Sequence, residues 1–350
     1  MWQVDNRTPF AAERAWVRDR DGQEIWLVAV KATFDILPDG STEVAAEQPP
    51  VLRAPVYHGE PGKSSIKYEA DLVLTKKTTD ITVVGNAHAP GGRPIAQMDA
   101  GFRIGPVQKL VRVFGDRRWG ALEPGEPAPF VTMPLVYERA FGGVDAQSDQ
   151  PERDWDWRNP VGCGFAAKGA NLDGQPLPNL EAADRLIQAR GDRPAPTGLG
   201  PIGAHWQPRA ALAGTYDENW MSTRQPLLPD DFDEHFFQCA PADQQAPQFL
   251  LGGEPVALLN LCPLGNLRFT LPKLYLGFET RFYDGSSEIH KQRKLHSVIL
   301  EPDFPRVSLV WHSALPCHHK VQKLERTVVS RKTPLYPGDP VEDDFEFEVG

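Results

Sequence analysis

Proline is the residue that most constrains what this chain can fold into. Of 350 residues, 34 are proline, about one in ten and roughly twice the average usage. Glycine contributes another 30 residues, and the two together stay below the ~25–30% typical of low-complexity chains. Because 41% of the residues are hydrophobic, the chain can bury a sizeable core. The composition predicts a folded protein with many turns and long ordered loops.

Residues 1–141 predict a β-rich part. The run "EIWLVAVKATFDI" (24–36) is rich in Val, Ile, Trp and Phe and ends at the turn signal "LPDG". Further strand-like runs follow at 80–89, 94–105 and 109–119. Strands separated by turns at this spacing are typical of an antiparallel sandwich or open barrel and not of βαβ units.

Residues 246–350 predict a second β-rich part with an acidic tail. Six candidate strands follow one another, namely "PVALLNL", "LRFTLP", "KLYLGFET", "KLHSVILEP", "RVSLVWHSA" and "VQKLERTVV". The final stretch, "DPVEDDFEFEVG", carries six acids, and Phe345, Phe347 and Val349 alternate within it. This alternation is compatible with a terminal strand or a docking tail, while a frayed, solvated tail is the interpretation we favour.

Residues 142–245 form an irregular insert rich in Gly, Trp and Pro. Loops this long are uncommon unless they are functional or disordered, and the tryptophans argue against disorder. The run "LPNLEAADRLIQARGDRP" (177–194) predicts a short helix with Asn179 as its N-cap and Gly191 near its end. We therefore expect a mainly β protein, with antiparallel sandwich or open-barrel sheets and a loop-rich insert carrying short helices, as one compact unit.

The charge balance disfavours nucleic acid as a partner. The net charge is −10, whereas nucleic-acid binders present a basic face that neutralises phosphates. The main basic cluster is Arg103, Lys109, Arg112, Arg117 and Arg118. These residues alternate with apolar ones along a predicted strand, so we interpret them as the solvated face of a sheet.

The cysteines and the N-terminal residues favour a cytoplasmic location. Cys163, Cys239, Cys262 and Cys317 lie far apart and form no CxxC pair. The stretch "MWQVDNRTPF" lacks the apolar core of a signal peptide, and no run of ~18 apolar residues exists. A large chain of this kind is expected to keep its thiols reduced and to have no membrane segment.

The stretch "RQPLLPDDFDEHFFQCAPADQQ" (224–245) concentrates acids and aromatic residues between prolines. Just upstream, Thr215 and Glu218 have the spacing of a capping box. This spacing predicts a helix that begins near residue 216 or 217 and ends before the next proline. Trp220 and Arg224 would then be i,i+4 neighbours on that helix.

A second helix is predicted to begin at residues 229–231 and to end near Cys239. Asp230, Asp231 and Asp233 would lie in its first turn, where the helix dipole stabilises each charged carboxylate by ~0.3–1 kcal/mol. That stabilisation lowers the carboxylate pKa, whereas a general acid at neutral pH needs a raised pKa. The sequence therefore predicts that these aspartates are helix-end scaffolding and not proton donors.

The second predicted helix is short and needs packing to persist in water. Phe232 and Phe236, four residues apart, are the predicted anchors. Asp231, His235 and Cys239 share the same spacing and could ligate a metal, but two turns of one helix rarely suffice without a ligand from elsewhere. We predict no metal site and no cofactor.

Other motifs fail on their sequence context. "YHGEPGKSS" (57–65) lacks the first glycine of a phosphate loop, and "GCGFAA" (162–167) follows no strand. In "WHSALPCHHK" (311–320), adjacent histidines on a strand would face opposite sides. Asp154 and Asp156 could serve a glycosidase, but spacing alone does not support that role. We predict no catalytic residue and no enzyme activity.

Several stretches together resemble a bacterial family long described only as a domain of unknown function and found in type VI secretion gene clusters. The resemblance implies an adaptor or chaperone that binds an effector and helps load it onto the secretion spike, through the VgrG spike protein or its PAAR tip. It also implies a cytoplasmic protein that is not an enzyme. The stretches that carry it are 68–92, "YERAFGG" (137–143), "NPVGCGF" (159–165), "LPNLE" (177–181), 196–209 and 212–245.

The expected partners are therefore an effector and the PAAR or VgrG spike proteins, with no nucleic acid and no membrane. Tryptophan and tyrosine are enriched at interface cores, although they could equally clamp the insert onto the sheets. The rival readings are a hydrolase that uses carboxylates of the insert and a structural part of the secretion machine. The candidate partner-binding or loop-anchoring residues are Trp155, Trp157, Trp206, Tyr216, Trp220, Arg224, Asp230, Asp231, Phe232 and Asp233.

Overall fold

The computed structural model describes residues 2–121, 123–145, 147–290, 293–317 and 320–332. The acidic tail, with Phe345, Phe347 and Val349, and the adjacent histidines at 318 and 319 lie outside the described residues.

The strands of the first two thirds are β1 (Gln3–Asn6), β2 (Ala11–Arg18), β3 (Glu24–Ile36), β4 (Thr42–Val44), β5 (Val56–Tyr57), β6 (Ile66–Tyr68), β7 (Asp80–Val83), β8 (Asn86–His88), β9 (Gln97–Ile104), β10 (Val107–Phe114), β11 (Thr132–Pro134), β12 (Phe141–Gly142), β13 (Cys163–Gly164) and β14 (Leu180–Ala182). The last third contains β15 (Pro255–Leu259), β16 (Leu267–Thr270), β17 (Leu276–Phe282), β18 (Ser287–Ile289), β19 (Arg293–Glu301), β20 (Arg306–Pro316) and β21 (Leu324–Arg331). The helix α1 is Glu218–Thr223, and 3-10 turns lie at Pro90–Gly92, Tyr137–Arg139, Arg209–Ala213, Glu234–Phe237, Ala242–Gln244 and Val321–Lys323.

Three open sheets hold most of the strands. A six-stranded sheet has the order β2-β3-β20-β19-β7, with β4 pairing β3; a five-stranded sheet has the order β14-β10-β9-β15-β16; a four-stranded sheet has the order β1-β21-β17-β18. Most neighbours are antiparallel, while β1–β21 and β7–β19 are parallel. The predicted mainly β, antiparallel architecture is therefore confirmed.

Strand β3 organises the largest sheet. Every residue from Ile25 to Phe34 is buried, because β2 and β20 flank the strand and both of its faces are covered. A strand buried on both faces reads as a continuous apolar run, and its predicted bounds, 24–36, match the observed ones. The pairing of β3 with β20, and of β9 with β15, joins strands from 1–141 to strands from 246–350.

The two faces of this sheet differ in chemistry. One face carries Trp26, Val30 and Phe34 into the main hydrophobic core. The opposite face carries a layer of buried polar contacts: Lys31 Nζ donates to Asp71 Oδ2 at 3.0 Å, and the hydroxyls of Thr33 and Ser308 lie 2.8 Å apart.

A further buried polar contact joins Lys76 Nζ to Asp80 Oδ2 at 2.6 Å. Asp80 Oδ2 also accepts the backbone N–H of Cys239 at 2.8 Å, and Asp80 Oδ1 accepts Gln238 Nε2 at 2.8 Å. One buried carboxylate therefore fastens the end of the insert to the edge strand β7.

Two predictions about the first half are wrong. Residues 177–194 form no helix: Leu180–Ala182 is the strand β14 and turns follow it. The backbone N–H of Asn179 donates to Arg139 O, and its side-chain amide donates to Phe114 O. These long-range bonds hold the segment extended and override its helical pattern.

The basic cluster is not a solvated sheet face as predicted. Lys109 and Arg117 are buried, and they pair with Asp243 and Glu181. Arg112, the third cation with an acidic partner, pairs with Asp99. The two exposed members of the cluster, Arg103 and Arg118, donate to backbone carbonyls.

We predict that Asp80→Asn lowers the free energy of unfolding by about 3–5 kcal/mol, because Lys76 would be left buried without a charged partner. Urea unfolding at neutral pH measures the change. The matched control is Lys77→Met, which removes an exposed pair with Glu234 and should cost at most about 1 kcal/mol. Equal losses for the two variants would contradict the assigned role of Asp80.

We also predict that the protein loses stability as the pH falls from about 6.5 to 4. Burial lowers the pKa of His290 to about 4, that of His312 to about 3 and that of His296 well below its usual value. Below pH 6.5 the unfolded chain binds protons that the folded chain excludes, so each histidine costs up to about 1.4 kcal/mol per pH unit. Urea unfolding at pH 6.5 and 5 measures this loss.

His290 offers the cleanest variant for that experiment, because both of its ring nitrogens bond hydroxyl oxygens, of Thr280 and Ser313, and glutamine can replace such bonds without titrating. His290→Gln should reduce the loss between pH 6.5 and 5 by up to about 2 kcal/mol. An unchanged pH dependence would contradict the burial of a neutral His290.

Candidate interaction surface

Residues 214–233 form a loop that leaves the protein body and returns to it. At its base the backbone N–H and hydroxyl of Thr215 donate to the two Asp231 carboxylate oxygens, at 2.9 and 2.7 Å. Two residues after Asp231, the backbone N–H of Asp233 donates to Leu212 O at 3.0 Å. A segment closed at its ends in this way resembles a long Ω-loop, a kind of surface loop often used for function, and residues 214–233 are called the Ω-loop below.

The helix α1 stands inside this Ω-loop. The predicted helix near residues 216–217 is confirmed and ends at Thr223. Its N-cap is Asp217, whose carboxylate accepts the backbone N–H of Trp220 at 2.9 Å. Thr215 is not the cap that the sequence predicts, because its hydroxyl bonds Asp231 instead.

Trp220 and Arg224 hold the Ω-loop in shape. Trp220 Nε1 donates to Leu227 O at 2.8 Å, and Arg224 Nε donates to Leu228 O at 2.9 Å. Arg224 also reaches the turn between β2 and β3, where it donates to Arg20 O at 2.9 Å. Its guanidinium further pairs with the carboxylates of Asp21 and Asp230, at 3.2 and 3.1 Å.

The second predicted helix, over 229–239, is wrong. The segment contains a single 3-10 turn, Glu234–Phe237, with Asp233 as its cap. The predicted helix does not form because the Asp231 carboxylate is hydrogen-bonded to Thr215. Phe232 is buried against Phe236 and Phe237, with ring centroids 5.6 and 5.5 Å away.

The aspartates act as ionised acceptors in this arrangement. Hydrogen bonds from Thr215 lower the pKa of Asp231, and hydrogen bonds from His235 lower the pKa of Asp233. The direction agrees with the sequence prediction, but the cause is local hydrogen bonding and not a helix dipole. A lowered pKa suits a structural acceptor and is opposite to what a general acid needs.

The structure separates Asp231, His235 and Cys239, the set with metal-ligand spacing. Asp231 bonds Thr215, His235 bonds Asp233, and Cys239 is buried beside Asp80. Within the ranges that the structure describes, no group of three or more His, Cys, Asp and Glu side chains is arranged to hold a metal.

A second exposed aromatic feature lies in the loop at 145–158. The rings of Trp155 and Trp157 stack with centroids 4.6 Å apart and an interplanar angle of 18°. Trp157 is 60% exposed, and Val144, which pairs with Trp155, is 46% exposed. We call Val144, Trp155 and Trp157 the tryptophan patch.

Short polar bonds fix the loop that carries the tryptophan patch. Asp145 accepts the backbone N–H groups of Gln147 and Ala167, at 2.9 and 2.8 Å. The buried Asp156 carboxylate binds the Arg158 guanidinium at 2.9 and 2.6 Å, and Asp154 accepts the hydroxyl of Ser148. The carboxylates of Asp154 and Asp156 are thus both engaged by donors of their own loop.

Trp206, by contrast, belongs to the core. It is 1% exposed and packs edge-on against buried Tyr137, with ring centroids 5.4 Å apart. Gly198 and Gly203 make this packing possible, because an added Cβ would lie 2.7 Å from the Tyr137 ring or 3.0 Å from the Trp206 ring. The candidates therefore divide: Trp206 and Phe232 are buried, while Trp157 and Tyr216 are more than half exposed.

Sequence reasoning missed two features of this region. Met221, on α1, is 54% exposed next to Trp220 and close in sequence to Tyr216. A cleft of about 690 Å³ is lined by Arg139, Cys163 and Asn179 among others. Arg139, Cys163 and Asn179 come from "YERAFGG", "NPVGCGF" and "LPNLE", three of the stretches that carry the family resemblance. That common membership was the signal by which sequence reasoning could have grouped them.

A family model for an uncharacterized protein conserved in bacteria, DUF2169, matches residues 21–312. The chain belongs to the DUF2169 family. The resemblance to a bacterial family of unknown function is thereby confirmed at that level. No curated protein matches this DUF2169 chain, and no solved structure does. Among the described residues, no helix is long and apolar enough to cross a membrane.

We predict that Asp231→Ala opens the base of the Ω-loop. The backbone N–H of Thr215 should exchange with deuterium faster, because its carboxylate acceptor is gone, while the melting temperature stays nearly unchanged since Asp231 is exposed. Peptide-resolved hydrogen–deuterium exchange measures deuterium uptake at the base of the Ω-loop and in the rest of the protein, and a thermal melt measures the melting temperature. Glu126→Ala, an exposed acid elsewhere, is the control, and equal exchange in the two variants would contradict loop closure by Asp231.

Proposed function

We propose that this DUF2169 protein is an adaptor or chaperone of the type VI secretion system. It binds an effector in the cytoplasm and helps load it onto the spike through VgrG or PAAR. The proposal starts from the family resemblance of the sequence. The observation that carries it is the tryptophan patch, in which the exposed ring of Trp157 stacks on the half-buried ring of Trp155 in a loop with fixed geometry.

The tryptophan patch has the properties of a protein-binding hot spot. Tryptophan is enriched among the residues that dominate binding energy, and exposing a large apolar ring without a partner is unfavourable. Because Asp145 and Asp156 fix the supporting loop, little conformational entropy is lost when a partner binds. Such pre-organisation raises affinity.

The Ω-loop supplies a second exposed surface of the same kind. Tyr216 and Met221 are 53% and 54% exposed, and Trp220 packs edge-on beneath Tyr216 with centroids 4.8 Å apart. The mechanism is binding and shielding: the adaptor covers apolar surface of the effector or the PAAR region until the spike receives it. A stable interface of this kind buries at least ~1,200 Å² in total.

The carboxylates of the insert support binding over hydrolysis. Asp230, Asp231 and Asp233 each contact a partner within the insert, namely Arg224, Thr215 and His235. Replacing all three by Asn tests both functions: unchanged effector delivery with normal folding would remove these acids from either role, whereas loss of turnover on a substrate with the fold intact would support a hydrolase. A structural part of the secretion machine would instead appear in assembled particles at a fixed copy number.

We predict that Trp157→Ala weakens co-purification with the effector encoded beside this gene by about tenfold or more, as expected for a hot-spot residue. The matched control is Trp16→Ala, which removes a tryptophan that is 40% exposed on the edge strand β2. Quantitative pull-down from cells that express both proteins measures the effect. Failure of the unmodified protein to bind cargo or spike proteins, or equal binding by both variants, would contradict the proposal.

A further inference from the structure

A small cleft lies beside the tryptophan patch. It occupies about 350 Å³ between residues 162–165 and residues 173–176. Gly162 and Gly164 give it a wall of bare main chain. A Cβ added at Gly162 would lie 2.7 Å from Ala140 O, and Gly164 has a φ of +87°, so other residues are disfavoured at both positions.

The rest of the lining combines apolar groups with a single uncompensated charge. Val144, Phe165 and Pro176 supply the apolar part. Arg118 is exposed and donates to Gly174 O at 2.8 Å. Among the described residues, no carboxylate oxygen lies within 4.0 Å of its guanidinium.

The other charged side chain of the cleft is neutralised. Asp173 lines the cleft with Arg118 but pairs with Arg190. Its charge is therefore already balanced, and Arg118 is left as the cation that a ligand can meet. A cleft of this size lies at the small end of ligand sites and accommodates one or two residues of a peptide.

The larger cleft of about 690 Å³ adjoins this one and shares Arg118, Cys163 and Pro176 with it. Its other charges are mostly paired within the protein: Arg117 with Glu181, Arg139 with Asp116, and Glu138 with the backbone N–H and hydroxyl of Ser65. Glu126 remains on its wall. The smaller cleft is thus the part in which positive charge is in excess.

We propose that the smaller cleft binds a carboxylate carried next to an apolar group on an extended segment of a partner protein. The carboxylate pairs with Arg118, the apolar group contacts Val144 and Phe165, and the segment follows the glycine main chain. Capture of chain termini and extended segments by exposed main chain is a common mode of peptide recognition. This inference deepens the proposed function and rests on it for the identity of the partner, while its chemistry is testable alone.

Cys163 makes that test direct, because it lines the cleft and is only partly buried, whereas Cys239, Cys262 and Cys317 are buried. Its thiol exchanges with a symmetrical disulfide, RSSR: a bond forms between Cys163 Sγ and one sulfur, and the other leaves as the thiol RSH. Burial raises the pKa of Cys163 to about 11, so exchange is slow and is followed to equilibrium at mildly alkaline pH.

The probes are 3,3′-dithiodipropionate, which delivers a carboxylate, cystamine, which delivers an ammonium, and 2-hydroxyethyl disulfide as the neutral reference. Intact-mass spectrometry counts the adducts, and peptide mapping locates them. At low salt we expect the carboxylate adduct on Cys163 to exceed the neutral one by roughly threefold, the size of one exposed ion pair. The ammonium adduct should fall below the neutral one.

Arg118→Gln should make the amounts of the three adducts on Cys163 nearly equal. Arg118→Lys should keep the carboxylate adduct most abundant and the ammonium adduct least abundant. Arg103→Gln is the matched control, because Arg103 is also exposed and also donates to a backbone carbonyl, that of Gly105. Cys163→Ser identifies signal from other thiols. The proposal is overturned if no probe reaches Cys163, if the carboxylate shows no preference, or if Arg118→Gln leaves the preference in place.

A second arm distinguishes a chain end from an acidic side chain. The probes are disulfide dimers of acetyl-Cys-Gly-Leu with a free carboxyl end, its C-terminal amide, and acetyl-Cys-Gly-Glu amide. Enrichment of the free acid over its amide assigns the cleft to a C-terminus, and enrichment of the Glu peptide assigns it to an acidic side chain. If neither peptide is enriched, the inference is overturned. Preserved capture without effector binding would count against the adaptor role alone.

Discussion

The buried carboxylate of Asp80 is the contact on which the arrangement of this protein depends. It accepts the ammonium of Lys76, the side-chain amide of Gln238 and the backbone N–H of Cys239. Asp80 lies on β7, whereas Gln238 and Cys239 lie in the insert after the Ω-loop. A charge removed from water is tolerated only when its partners are all in place, so this one group ties the folding of the insert to the folding of the sheet.

The insert follows a different principle from the sheets. Aspartate carboxylates hold its loops: Asp217 caps α1, Asp145 and Asp156 bond their own loop, and Asp231 closes the Ω-loop across its base. Polar bonds of this kind shape the loops of the insert, whose own apolar cluster is small and buries Ala166, Leu172, Leu177 and Ile187 against Trp119 and Phe141. They leave aromatic side chains on the outside, where a partner protein can reach them.

The sequence predicted best where structure is decided locally or by burial on both sides. The bounds of β3 were predicted to the residue, because a strand covered on both faces is mostly apolar, here from Ile25 to Phe34 with the exception of Lys31 and Thr33. The helix α1 was predicted from a capping-box spacing and the following proline, although its cap is Asp217 and not Thr215. The helix predicted over 177–194 failed because Asn179 and Glu181 bond groups more than 35 residues away, Arg139 and Arg117 among them.

The sequence by itself determined the mainly β class, the positions of several strands, β3 among them, and the irregular character of the insert, since periodicity, turns and caps are encoded within a few residues. Only the tertiary structure decided which charges are buried and which tryptophans are exposed. Trp157 and Trp206 both lie in loop segments, yet one is 60% exposed and the other 1%. The difference arises because Trp206 meets Tyr137 across 69 positions of chain, and no local pattern specifies such a contact.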